Sequence, residues 1–225
     1  MTKETGPSAH PPEPPFTSRL TRLTMIVMGV GILAVMVLRM ATGYRDANQL
    51  PVLGAVPEFT LTDQNGEAFR SVDVAGKVWL ASFIYTTCPG PCPRIVQKVA
   101  EVARRMGAEP DFALVSFSVD PEADTPEVLE AYARTHAIDG TRWKLVTGDA
   151  ADLLGLVRTG FMLPVARAEG LSAEELAEAG PVIHSVRLVL VDQALRVRAY
   201  YDSGNPADID RLERDARGLL RGGGW

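Results

Sequence analysis

The sequence predicts an α/β domain with a mixed sheet flanked by helices, preceded by one N-terminal apolar helix. Three observations carry this expectation. Two continuous apolar runs, Lys77–Tyr85 and Phe112–Val119, have the length and composition of strands buried on both faces. Between them Ile95, Val96, Val99, Val102, Ala103 and Met106 recur at helical spacing, so strand, helix and strand form a right-handed parallel unit. Ahead of the body, Leu23–Leu38 carries no charge between Arg22 and Arg39.

The 225 residues are 46% hydrophobic, enough for one core and an appendage. A net charge of −5 with no basic cluster in the body argues against a nucleic-acid partner. The two cysteines, Cys88 and Cys92, exclude a scaffold stapled by several disulfides. Histidine chemistry is limited to His10, His136 and His184.

The N-terminal region divides by composition. Residues 1–22 hold Pro7, Pro11, Pro12, Pro14 and Pro15 and read as a disordered tail. Leu23–Leu38 is somewhat short for a membrane, because 16 helical residues rise only about 24 Å against a hydrocarbon core of about 30 Å. Snorkelling by Arg22 and Arg39, with Met40 and Ala41 beyond, extends it to a transmembrane anchor over residues 23–41. Two other readings compete. Ala41-Thr42-Gly43 resembles a signal-peptide cleavage site, and a core helix wrapped on all sides is also conceivable. Basic residues flank the run evenly, so charge does not set its orientation. A linker over 42–51 leads to the domain, placed at 52–221.

Within the domain, Pro57–Phe69 alternates around Asn65-Gly66 and reads as a hairpin. The helix after the first buried strand stops at Gly107. A second helix starts with Thr125 as cap and Pro126 in its first turn, burying Val128, Leu129 and Tyr132. Leu145-Val146 is a short strand, and Asp149 caps a helix carrying Leu153, Leu154 and Val157. Ser172–Glu175 is a capping box for a short helix. Ser185–Val191 and Arg196–Tyr201 make a hairpin, and Asn205-Pro206 opens a final helix with Ile209, Leu212, Leu219 and Leu220 on one face. In this order the elements read as a thioredoxin-like domain without internal repeats.

The dense chemistry is Thr87-Cys88-Pro89-Gly90-Pro91-Cys92-Pro93, between a buried strand and a helix. Ligands of α/β domains collect at the carboxyl ends of parallel strands. The prolines push Cys88, Gly90 and Cys92 toward extended or turning backbone, with Cys92 as helix cap and Pro93 as first helical residue. Unpaired N–H groups there favour a thiolate. The pair could still be two small buried hydrophobes, a structural disulfide, a metal-ligand pair or a redox pair; three intervening residues discriminate only softly. His10 lies in the tail, and His136 falls at a helix end as a solvated or capping residue. His184 enters a strand whose start, in a thioredoxin-like arrangement, faces the dithiol loop, so it is the third-ligand candidate. Asp120-Pro-Glu-Ala-Asp124 follows the second buried strand and reads as turn and cap chemistry, with support of the site as the other reading.

Phe83–Pro93 (FIYTTCPGPCP), Ser118–Pro126 (SVDPEADTP), Trp143–Gly148 (WKLVTG) and His184-Ser185 with the strand after it resemble the SCO/SenC family of membrane-tethered copper chaperones for cytochrome c oxidase, over roughly residues 52–220. The resemblance implies a thioredoxin-like fold, with Cys88, Cys92 and His184 as metal ligands for Cu(I) or Cu(II). It further implies delivery to the copper A centre of the oxidase, whose copper A subunit is then a partner, with another periplasmic copper chaperone as a further one. Asp120 and Asp124 match the family's acidic stretch. Gly90-Pro91, Leu171–Gly180 and the glycine-free turn Asp192–Leu195 depart from the family pattern. Two thiolates and an imidazole suit trigonal Cu(I), whereas zinc usually takes a fourth ligand. The expected protein is therefore a binder and carrier rather than an enzyme of turnover. It is anchored once in a bacterial inner membrane, with the domain in the periplasm, where disulfide chemistry is permitted. The alternative is a thiol-disulfide reductase that uses Cys88 and Cys92 as its redox pair.

Overall fold

The structure is a computed structural model that describes residues 19–46, 50–168, 170, 172, 174 and 180–222. Residues 1–18 of the tail with His10, residues 47–49 of the linker, and most of Leu171–Gly180 with its capping box lie outside the described residues, while 19–22 and 42–46, expected as tail and linker, are helical. The chain divides into two compact units, Met1–Gly43 and Tyr44–Trp225.

In the first unit, helix α1 (Arg19–Asp46) begins, and its side chains from Leu23 to Leu38 are exposed all round. Among the described residues, no helix is long and apolar enough to cross a membrane.

The second unit is built on β1 (Gly54–Ala55), β2 (Thr60–Asp63), β3 (Ala68–Arg70), β4 (Val78–Ile84), α2 (Cys92–Met106), β5 (Phe112–Ser118), α3 (Pro126–Thr135), β6 (Trp143–Thr147) and α4 (Ala150–Thr159). It continues through β7 (Val165–Arg167), β8 (Val182–His184), β9 (Arg187–Val191), β10 (Arg196–Asp202) and α5 (Pro206–Arg221). Eight strands form one mixed sheet in the order β1-β10-β9-β4-β5-β6-β2-β3, while β7 and β8 form a separate two-stranded sheet. Strands β4, β5 and β6 run parallel at the centre. Every residue of β4 and β5 is buried, as their unbroken apolar character requires. The α2 and α5 helices pack on each other and on β4, and α3 packs on β6. The layered, thioredoxin-like architecture expected from the sequence is present.

Local signals hold where they are strong. The Asn65-Gly66 turn joins β2 to β3, with Gly66 at φ 78°. Thr125, Asp149 and Asn205 each accept backbone N–H groups at the starts of α3, α4 and α5. His136 is the C-terminal cap of α3. Two expectations change. Val128 is exposed and Tyr132 half-buried, leaving Leu129 and Ala133 as the buried residues of α3, because a ten-residue helix packed on one strand buries only a narrow stripe. His184 does not enter the strand that follows it: it ends β8, and β9 starts three residues later.

The topology places the site. Strand β9 is antiparallel to β4, with Trp79 opposite Val191 and Ala81 opposite Val189. The amino end of β9, and with it His184, therefore lies at the carboxyl end of β4, where the cysteine loop begins.

Candidate metal centre

The loop leaves β4 through Tyr85, and the N–H of Cys88 donates to the Tyr85 carbonyl at 3.3 Å, closing a turn. Cys88 is half-buried and Cys92 fully buried; both are free thiols. Helix α2 starts one residue earlier than the prolines suggest. Cys92 is its first residue and Pro91 its cap, with helical backbone at φ −78° and ψ −19°. Pro93 occupies the second position, where a missing N–H leaves nothing unsatisfied. The N–H groups of Arg94 and Ile95 both reach the Pro91 carbonyl at 3.0 Å.

His184 lies opposite Val165 in the β7–β8 hairpin. Its Nε2 is 3.4 Å from Cys92 Sγ, and its Nδ1 is 3.1 Å from the Ser185 carbonyl oxygen. A carbonyl only accepts, so the ring proton sits on Nδ1 and the Nε2 lone pair faces the thiol. One ligand atom each from Cys88, Cys92 and His184 lie within 4.8 Å of one another; among the described residues this is the one such group of three metal-ligating side chains. Donors about 2.0–2.3 Å from a shared ion in a plane lie roughly 3.5–4 Å apart, so a small contraction would close the triangle. The donor set, two soft sulfurs and a borderline imidazole, suits a monovalent copper ion.

Burial governs the electrostatics. It pushes the Cys92 thiol up, and Cys88 adds to the effect. The thiolate expected from the helix N-terminus is therefore corrected for the metal-free protein: loss of water around Cys92 outweighs the helix dipole, and the thiol keeps its proton. Burial holds the His184 imidazole below its usual range, so the ring is neutral at pH 7. The Tyr85 hydroxyl is raised by burial and by a hydrogen bond with Cys88, and Tyr132 is raised by burial to about 12.

Two supporting residues, Tyr85 and Gly180, escaped the sequence reading, and a third, Asp124, was one of its two readings. Tyr85, the last residue of an apolar run, packs its ring edge-on against His184 with centroids 5.6 Å apart. Gly180 sits at φ 81° so close to Tyr85 that a Cβ there would meet the hydroxyl at 1.9 Å. Asp124 is fully buried and accepts the Thr86 N–H at 3.1 Å, the Thr86 hydroxyl at 2.6 Å and the Ser118 hydroxyl at 2.6 Å. Support of the site, the second reading of Asp120–Asp124 beside turn and cap chemistry, is what Asp124 provides. His136 is not in that group of three; its ring lies against Tyr132, tilted by 40° with centroids 4.1 Å apart.

Comparison with known proteins agrees with this architecture. The SCO1 protein homolog of Bacillus subtilis (strain 168) is 34% identical over 99 residues, which is 44% of this chain and 51% of that one. The chain thus aligns with about half the length of that curated relative. Among solved structures, BsSco, described as a member of the Sco family of cytochrome c oxidase assembly proteins with a disulfide switch, is 28% identical with a TM-score of 0.63, covering 75% of this chain and 95% of its own. ScoI of Bradyrhizobium japonicum, solved with copper bound, is 25% identical with a TM-score of 0.60, covering 75% and 99%. A model of the family described as SCO1/SenC matches residues 49–220, nearly the whole of the second unit, and the chain belongs to that family.

Proposed function

We propose that this protein is a copper metallochaperone that binds the ion through Cys88, Cys92 and His184 and passes it to the copper A centre of cytochrome c oxidase. The observation that carries the reading is the convergence of two thiols and a neutral imidazole within 4.8 Å. Copper is cargo here. Cys88 is half-exposed and can engage an incoming acceptor thiol, while the buried Cys92 and half-buried His184 would keep hold of the ion. Three donors leave a trigonal Cu(I) open to a fourth ligand, which is how an ion leaves one site for the next without being freed to water. The copper-bound Bradyrhizobium relative and the oxidase-assembly role given for BsSco support the choice of ion and recipient.

The apolar helix supports a tether over residues 23–41, because its side chains from Leu23 to Leu38 are uncharged and exposed. A tether raises the effective concentration of the site near a membrane-bound recipient. We place the domain, residues 52–221, on the periplasmic side of a bacterial inner membrane.

An anaerobic Cu(I) titration of the purified chain tests the reading. One equivalent should bind, and Cys88→Ala, Cys92→Ala and His184→Ala should each weaken binding by at least tenfold. If His184→Ala binds as the parent does and still supports oxidase assembly, while Cys88→Ala fails, the protein is instead a thiol-disulfide reductase. The adjacency of two free thiols is the observation that favours that second reading.

A further inference from the structure

We infer that the acidic turn Asp120–Asp124 is a brace that sets the separation of the dithiol from the imidazole. One of its ends holds the cysteine loop and the other holds the hairpin bearing His184. The inference rests on the copper-site reading, since it concerns how the three donors are kept together.

The hairpin needs such a hold. Strands β7 and β8 have three residues each and pair with one another, outside the main sheet. Val165 and Val182 seat the hairpin on the core, but no ladder joins it to the main sheet, so side-chain contacts set where His184 stands along it. One contact is the Tyr85 ring. Another is Arg167 on β7, whose Nη2 is 2.7 Å from Glu122 Oε2 and 3.8 Å from Asp120 Oδ1. At the opposite end of the same turn Asp124 holds Thr86, two residues before Cys88, through backbone and side chain.

The turn between these ends is itself rigid. The N–H groups of Ala123 and Asp124 both donate to the Asp120 carbonyl, at 3.1 and 3.0 Å. The N–H of Asp120 donates to the Ser118 hydroxyl at 3.1 Å, and that hydroxyl donates to Asp124 at 2.6 Å. Asp120 and Asp124 are buried, so these bonds are not exchanged with water. The turn thus fixes the separation of its two holds, while each hold can be released on its own. Asp120, Glu122, Asp124 and Arg167 are positioning residues; none of them belongs to the donor triangle.

The test uses the full chain. Arg167→Gln and Glu122→Gln alter exposed side chains and should fold normally. In the metal-free protein, amide hydrogen exchange in the β7–β8 hairpin should quicken by ~3- to 10-fold in both, with β4 and β5 unchanged, and Arg167→Lys should recover part of the protection. With Cu(I) bound, capture of the ion by a competing chelator should quicken over the same range. Thr86→Val, acting at the other end, should instead speed alkylation of Cys88 while hairpin exchange stays as in the parent. Unchanged hairpin exchange in Arg167→Gln and Glu122→Gln would overturn the brace. Absence of Cu(I) binding in the parent would overturn the copper reading alone, because the exchange measurement needs no metal.

Discussion

The Sγ of Cys92 lies 3.4 Å from the Nε2 of His184, across 92 positions of sequence. In the metal-free protein this is a hydrogen bond from a protonated thiol to a neutral imidazole. Both ionisation states follow from burial, which raises the thiol and lowers the imidazole. A metal ion in this place must displace the thiol proton and take the same lone pair.

Binding should therefore depend on pH in a definite direction. Cys92 is raised, so its proton is present through neutral pH and must leave when the ion enters. Apparent affinity should climb by about tenfold per pH unit for each proton displaced, until the thiol ionises by itself. His184 is lowered, so it opposes binding only in acid, below its own depressed range, where the ring charges. Chelator competition between pH 6 and 9, alongside direct measurement of protons released per Cu(I), checks this. A flat profile would show that Cys92 is not the ligand whose proton is lost.

Gly180→Ala should loosen the site from above. An alanine there carries φ 81° and a Cβ at 1.9 Å from the Tyr85 hydroxyl and 3.1 Å from its Cζ. Left-handed backbone costs about 1–2 kcal/mol for a residue with a side chain, and overpacking adds about 1–3 kcal/mol. Because the worst clash is with the hydroxyl oxygen, Tyr85→Phe should recover part of the loss in the double variant. Denaturant unfolding of the four proteins of this cycle reads the coupling; purely additive losses would contradict the contact.

These contacts mark where sequence reading stops. The buried strands β4 and β5, the first parallel crossover and the caps Thr125, Asp149 and Asn205 are legible because each depends on a few adjacent residues. The three candidate ligands were singled out through the Cys-Pro pattern and the resemblance it carries, and the fold brings them together. The β7–β8 hairpin was not, since its three-residue strands lie 15 positions apart, from Arg167 to Val182, far beyond the two to five residues of a turn that marks a hairpin in sequence. The start of α2 was misread by one residue, because a preference against helix before proline is weaker than the burial of Cys92. The protonation of Cys92 was misread for a related reason: a helix end is visible in sequence, whereas the dryness around it is a property of the assembled core.

Arg198→Met should destabilise the domain without reaching the donors. Its guanidinium is buried and donates to Asp192 Oδ2 at 2.8 Å, and its Nε donates to the carbonyls of Leu50 and Pro51 at 3.1 and 3.2 Å. The change leaves Asp192, itself buried, with Arg196 as its remaining side-chain cation, at 2.8 Å. Breaking a buried pair from one side costs about 3–5 kcal/mol, at the lower end here because Arg196 remains. Thermal unfolding should fall accordingly, with Cu(I) affinity unchanged at temperatures where the variant is folded.

Ala137→Gly should move stability the other way. The N–H of Ile138 donates to the Ala133 carbonyl at 2.9 Å and that of Ala137 to the Arg134 carbonyl at 3.3 Å, the bonding pattern of a Schellman end after the His136 cap. This motif requires left-handed backbone at the residue after the cap, and Ala137 supplies it at φ 51°. Its side chain is exposed, so removing the methyl group forfeits no packing. Relief of about 1–2 kcal/mol of backbone strain, less the extra chain entropy that glycine brings to the unfolded state, leaves a gain of about 0.5–1 kcal/mol. Urea unfolding at fixed pH should show a higher midpoint with the same slope. A lower midpoint would mean that Ala137 is not held at positive φ in solution.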